Sequence, residues 1–141
     1  MPAKKSWWLI KSEPTEYSFA QLQEDGRTAW TGIRNFAARN NLRAMKPGDL
    51  CLYYHTGNEK AVVGLAKVVG KPGPDPTAPG EDWTSVDVAP HKPLKEPVTL
   101  AAMKQLKELK GFQLLTHGRL SVVPVTEAQA KVILTHGKTR A

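Results

Sequence analysis

The sequence predicts an α+β fold, a mixed β-barrel surrounded by several helices, and three observations point to it. Short runs of strand character alternate with capped, helix-like stretches along the whole chain. The most apolar run, Leu50 to His55, has the pattern of a strand buried on both faces. The one Pro- and Gly-rich stretch, residues 70–80, holds four of the eleven prolines. Neither of its flanks has the composition for a separate core, so residues 1–141 read as a single domain.

Taken in order, Trp7 to Ile10 reads as a short buried strand. Lys11-Ser12-Glu13-Pro14 follows as a loop, in which Pro14 fixes its own φ and biases Glu13 towards extended geometry. Ser18 stands as an N-cap before a helix that Gly26 stops. Thr28 to Gly32 reads as a loop leading to a helix from about Asn35 to Met45, which Pro47-Gly48 ends.

In the middle third, Leu50 to His55 and Ala61 to Val69 form a hairpin around the Thr56-Gly57-Asn58 turn. Residues 70–80 form a loop. Trp83 to Val88 alternates, with Val86 and Val88 on one face and Trp83, Ser85 and Asp87 on the other. Thr99 caps a helix from Leu100 to Leu109, and Phe112 to Leu115 makes a helical turn. Leu120 to Val123 is a strand ending at Pro124, and Thr126 caps a last helix reaching about Leu134.

Composition bounds the function. Hydrophobic residues are 40% and charged residues 23%, ordinary for a globular protein. No apolar run approaches the roughly 18 residues of a transmembrane helix, so no membrane partner is expected. Met1-Pro-Ala-Lys-Lys-Ser6 has two lysines but no signal-peptide h-region or cleavage site behind them, and a cytoplasmic location is expected. The net charge of +7 suits a polyanionic partner, though a solvated basic surface gives the same total.

Catalytic constellations are weak. The single cysteine, Cys51, lies between Leu50 and Leu52 and reads as a core thiol rather than a nucleophile. His55, His91, His117 and His136 lack ligand spacing, so neither a metal nor another cofactor is expected. No phosphate-binding glycine loop occurs, and Glu13 has no second carboxylate near it in sequence.

The helix from Asn35 carries more information. At about 100° per residue Ala38, Leu42 and Met45 form one stripe, with Arg34 and Asn35 beside it. An inward-leaning Arg34 needs an anionic partner, and Glu13 or a phosphate would serve. Arg39 and Arg43 fall on the opposite face, where solvation and phosphate contact are the two readings. Trp30, in a polar loop just before this helix, and Trp83, just after the Pro-rich loop, are candidate plates for stacking a base.

These same segments resemble the EVE domain family. The matching stretches include Trp8-Leu-Ile-Lys-Ser-Glu-Pro14, Trp30-Thr-Gly-Ile-Arg-Asn-Phe-Ala-Ala-Arg-Asn-Asn-Leu-Arg-Ala-Met-Lys-Pro-Gly-Asp49, Tyr53-Tyr-His-Thr56 and Gly118-Arg-Leu-Ser-Val-Val-Pro-Val125. The resemblance covers nearly the whole chain. It implies a PUA-like barrel of about five to six strands, related to YTH domains, and a non-enzymatic reader of a modified base in DNA or RNA. Trp30 and Trp83 would then be two walls of an aromatic pocket. Lys11, Ser12, Glu13, Asn35, Tyr54 and His55 would line it, while Arg34 and Arg119 would hold phosphate or complete the rim. Two other functions stay open on the residues alone: a hydrolase or nuclease using Glu13 or His55, and a binder of free nucleobases.

Overall fold

The computed structural model describes residues 6–116 and 120–141. Strand β1 (Trp7–Ser12) leads into two short helices, α1 (Pro14–Tyr17) and α2 (Phe19–Asp25). Next come β2 (Thr28–Trp30), α3 (Phe36–Ala44), β3 (Leu50–His55), β4 (Ala61–Val68), β5 (Gly73–Pro74) and β6 (Thr84–Thr99). The last third holds α4 (Leu100–Lys104), a 3-10 turn at Lys107–Leu109, α5 (Gln113–Thr116), β7 (Val122–Val125) and α6 (Glu127–His136).

The strands form one curled sheet in the order β2-β6-β4-β3-β1-β7, with β5 added to β6. Among the described residues only β1 and β3 run parallel, in register from Trp7 opposite Leu50 to Ser12 opposite His55. The path ends at β2 on one side and β7 on the other, which makes it a half-barrel. The β3–β4 hairpin is the heart of the core, and every residue of β3 is buried.

Helix starts follow the local chemistry. Ser18 Oγ accepts the Gln21 N–H at 3.0 Å, and Gly26 closes α2 in the left-handed conformation at φ +76°. Thr126 and Gln129 cap each other reciprocally at the start of α6. In α3 the stripe of Ala38, Leu42 and Met45 is buried, and Asn41 Nδ2 donates to the Val122 carbonyl at 2.7 Å. Trp8 Nε1 donates to the buried Asp49 carboxylate at 3.0 Å, which joins β1 to the start of β3.

Several expectations need correction. The stretch expected as a loop at 11–14 is the end of β1 followed by α1, with Pro14 at the first helical position, where a missing N–H costs nothing. Thr28 to Trp30 is a strand, paired with Val88 to Val86. The Pro-rich loop contributes the two-residue β5. Strand β6 continues to Thr99 through Pro90, Pro93 and Pro97. Beyond Val88 it pairs only with β4, and the register shifts near Pro90 and Pro93 absorb the missing donors.

The helix expected from Leu100 to Leu109 breaks at Leu106, whose backbone is extended. Met103 and Leu109 are both fully buried, yet six residues apart on a continuous helix they would point about 120° away from each other. Pro124 lies inside β7 rather than ending it, as an edge strand allows.

Candidate functional site

A cavity of about 380 Å³ opens where the end of β1, helix α1 and strand β2 converge. Lys11, Ser12 and Glu13 form one wall, and Glu16 and Tyr17 form the next. Thr28, Ala29 and Trp30 supply the third, closed by Thr31 and Ile33. The β1–β3 register sets the first wall, because pairing with Tyr54 and His55 carries β1 out to Ser12.

Trp30 belongs to the core as much as to the cavity. Its residue is 8% exposed, and its ring meets Tyr53 edge-on at 5.6 Å and Tyr17 at 6.4 Å. Such T-shaped contacts fix the indole plane and offer a rigid apolar wall. Behind it, Tyr53 Oη and Ser12 Oγ both donate to the Tyr17 carbonyl, at 2.8 and 2.7 Å. With its proton committed there, the Ser12 oxygen keeps acceptor capacity for a donor entering the cavity. Burial pushes the Tyr53 phenol well above its ordinary value and lowers the Lys11 ammonium. The Glu13 carboxylate accepts a long 3.5 Å contact from Thr56 Oγ1.

The segment that closes the cavity at Thr31 and Ile33 is held from outside the cavity by a residue that sequence reasoning missed. Asp75, from the Pro-rich loop, has a fully buried side chain. Its carboxylate accepts from the Gly32 amide at 2.9 Å and Arg34 Nη1 at 3.0 Å. It also accepts from the Thr77 amide at 2.7 Å and the Thr77 hydroxyl at 2.6 Å. Burial alone would raise this carboxyl, but the hydrogen bonds from Thr77, Gly32 and Arg34 outweigh it and hold the pKa below the usual carboxylate range. The anion expected for Arg34 is therefore Asp75, not Glu13. An Asp two residues before a Thr in a Pro-rich loop is an Asx-turn signal that hinted at part of this clasp.

The other candidates disperse. Trp83 does not share a cavity with Trp30: it borders a separate hollow of about 280 Å³ with Arg43, Pro72 and Pro74. There it stacks on Phe36, with centroids 5.4 Å apart and planes 16° apart. Arg39 and Arg43 are not simply solvated, because both bond to Asp82 and Arg43 Nε donates to Thr84 Oγ1 at 2.8 Å. The Arg39 side chain is only 15% exposed.

Asn35 Oδ1 caps α3 by accepting the Ala38 N–H at 3.0 Å. Tyr54 borders a third hollow, of about 230 Å³, on the other side of Lys11. His55 is buried with both nitrogens engaged: Nε2 accepts the Phe19 N–H at 3.0 Å, and Nδ1 bonds to Glu59. Arg119 lies outside the described residues. Cys51 is fully buried, its thiol pushed up by burial and by Asp49. Among the described residues no three His, Cys, Asp or Glu side chains gather as a metal site, and no helix is long and apolar enough to cross a membrane.

Comparison with known proteins gives this geometry a family. Human thymocyte nuclear protein 1 is 32% identical over 92% of this chain and 73% of its own length. The solved structure of Rpa0253 from Rhodopseudomonas palustris has a TM-score of 0.90 at 41% identity, covering 94% of this chain and 93% of that one. Human THYN1, solved in complex with 5-methylcytosine-containing DNA, has a TM-score of 0.90 at 30% identity, covering 97% of this chain and 100% of that one. The EVE domain family model matches residues 6–136, and the chain belongs to the EVE domain family.

Proposed function

We propose that this chain is a non-enzymatic reader of DNA that takes one modified base, a 5-methylcytosine in the first instance, into the cavity beside Trp30. The observation that carries the reading is that cavity itself, in a fold that matches 97% of the chain to a relative solved with 5-methylcytosine-containing DNA. Its volume of about 380 Å³ falls in the range of roughly 300–1,000 Å³ typical of ligand pockets. The Trp30 indole supplies an apolar wall for a flat ring, and Ser12 Oγ supplies an acceptor suited to an exocyclic amine. Lys11 adds a cationic side chain to the lining.

Chemistry on the base is disfavoured by what surrounds the reactive side chains. His55 has no free nitrogen to act as a base, and the Cys51 thiol is buried and far from ionising. The methyl group adds a small apolar increment, worth about 1–3 kcal/mol at most, so discrimination between methylated and plain cytosine is modest.

Fluorescence anisotropy with duplexes differing by one 5-methyl group tests the reading. The methylated duplex should bind more tightly, and Ser12→Ala should weaken it by about tenfold, the value of about one lost hydrogen bond. Trp30→Phe, which keeps the core filled, should lower the methyl preference while the thermal midpoint stays within a few degrees. If no duplex binds at low salt, or both variants bind as the native chain does, the reading fails.

A further inference from the structure

One large apolar side chain stands out among the described residues: Phe36, at the start of α3, is 66% exposed. Single exposed apolar residues are common and by themselves mean little. This one is braced. Its ring stacks on Trp83 at 5.4 Å and 16°, and the Arg39 guanidinium lies 5.0 Å from the Phe36 centroid and 5.9 Å from that of Trp83. Were Arg39 on the outer face of Phe36, its distance to Trp83 would approach the sum of the other two separations. The near-equal triangle places it at the side of the stacked pair instead.

The brace continues outwards. Arg39 is tied to Asp82, and Arg34, tied to Asp75, sits 5.6 Å from the Trp83 centroid. Phe36 is thus supported from behind and from the side, with its outer face left open to solvent.

Position gives this open face a use. Ile33 lines the cavity, and Phe36 follows three residues later, a span of at most about 11 Å. An aromatic side chain this close to the cavity wall can reach the strand beside a base held in the cavity. A base drawn out of a duplex leaves the face of its neighbour unstacked, and Phe is among the side chains that fill such gaps.

We propose that the outer face of Phe36, held by Trp83 and Arg39, stacks on the DNA base that is uncovered when its neighbour enters the Trp30 cavity. The proposal rests on the reading of that cavity as a base pocket. Phe36 would contribute affinity for the strand without contributing to the choice of base, because every base has a π face. Its arginine-flanked setting suits a polyanion better than an apolar protein partner, for which two ion-paired guanidiniums would be costly to desolvate.

The test uses the full chain and a duplex with one 5-methylcytosine next to 2-aminopurine, a base whose fluorescence reports unstacking. Phe36→Ala is expected to weaken duplex binding by about tenfold and to change the 2-aminopurine signal of the complex. Phe36→Tyr should restore both. The ratio of affinities for methylated and plain duplexes should be the same in the native chain and Phe36→Ala. Should Phe36→Ala bind the methylated duplex as tightly as the native chain, with unaltered 2-aminopurine emission, the stacking proposal is overturned and the pocket reading stands. Should the native chain bind no methylated duplex, both fall. A fall in methyl preference in Phe36→Ala, matching that of Trp30→Phe, would also overturn the proposal, since it would put Phe36 in the pocket.

Discussion

Asp75 anchors Gly32 and Arg34, the residues on either side of the cavity-lining Ile33. It takes four hydrogen bonds from three residues, one of them the Gly32 amide at a position where φ is +79°. Removing the carboxylate takes the partner from the half-exposed Arg34 guanidinium and from the Gly32 and Thr77 amides, so Asp75→Ala should cost about 1–3 kcal/mol. Its pKa is lowered on folding, so the ionised form is the one that folding favours. The stabilisation is therefore complete above the unfolded-state value of about 3.9. It fades as pH falls below that towards the lower native value. Urea titrations of the native chain and Asp75→Ala should differ most at neutral pH and converge below about pH 4. A gap that stayed constant from pH 7 to pH 3 would mean that the loop is held by something else. Trp30 was a candidate from its neighbours in sequence and Ser12 from the family resemblance, and both line the cavity. Asp75 was not a candidate, because only its local bonds to Thr77 leave a sequence signal, while Gly32 and Arg34 lie more than 40 positions away.

At the scale of elements, the docking of α2 shapes the floor under the cavity. The Phe19 ring packs edge-on against Tyr53 at 5.4 Å and crosses β4 at Gly64. A Cβ at Gly64 would lie 2.5 Å from Phe19 Cζ, well inside contact distance. Gly64→Ala should therefore displace the ring and cost about 1–3 kcal/mol of overpacking. Tyr53, which donates to the Tyr17 carbonyl beside Ser12, would be disturbed with it. Thermal unfolding reads the stability, and restored stability in Gly64→Ala combined with Phe19→Leu would confirm the collision as its source. If the single variant melts with the native chain, the packing argument is wrong. Elements with strong local signals were readable: the caps expected at Ser18, Thr99 and Thr126 are all used. Strand β2 was not, since three residues are too few to display a period of two. The prolines of β6 hid its full length, because they report on hydrogen bonding and not on how far a strand runs along a partner.

Over the whole molecule, alternation of strands and helices predicted the α+β class, but the half-barrel depends on a pairing that no local pattern encodes. Strands β1 and β3 run side by side although 43 residues separate Trp7 from Leu50, and their parallel register brings the first wall to the cavity. Charge behaves in the same way. The total of +7 was visible at once, yet Arg27, Arg34, Arg39 and Arg43 are all ion-paired to aspartates of other segments. Part of that charge is therefore neutralised within the fold, and a polyanion meets less than the sequence total. Two parts of binding should separate under salt. Each phosphate neutralised adds about −0.9 to the slope of log K against log salt, so three such contacts would lose roughly 40-fold between about 50 and 200 mM. The methyl preference of the cavity involves no ion and should stay within about twofold over the same range. Parallel titrations of methylated and plain duplexes across that range measure both quantities. A preference that decayed along with total affinity would trace it to backbone contacts and remove the Trp30 cavity as its origin.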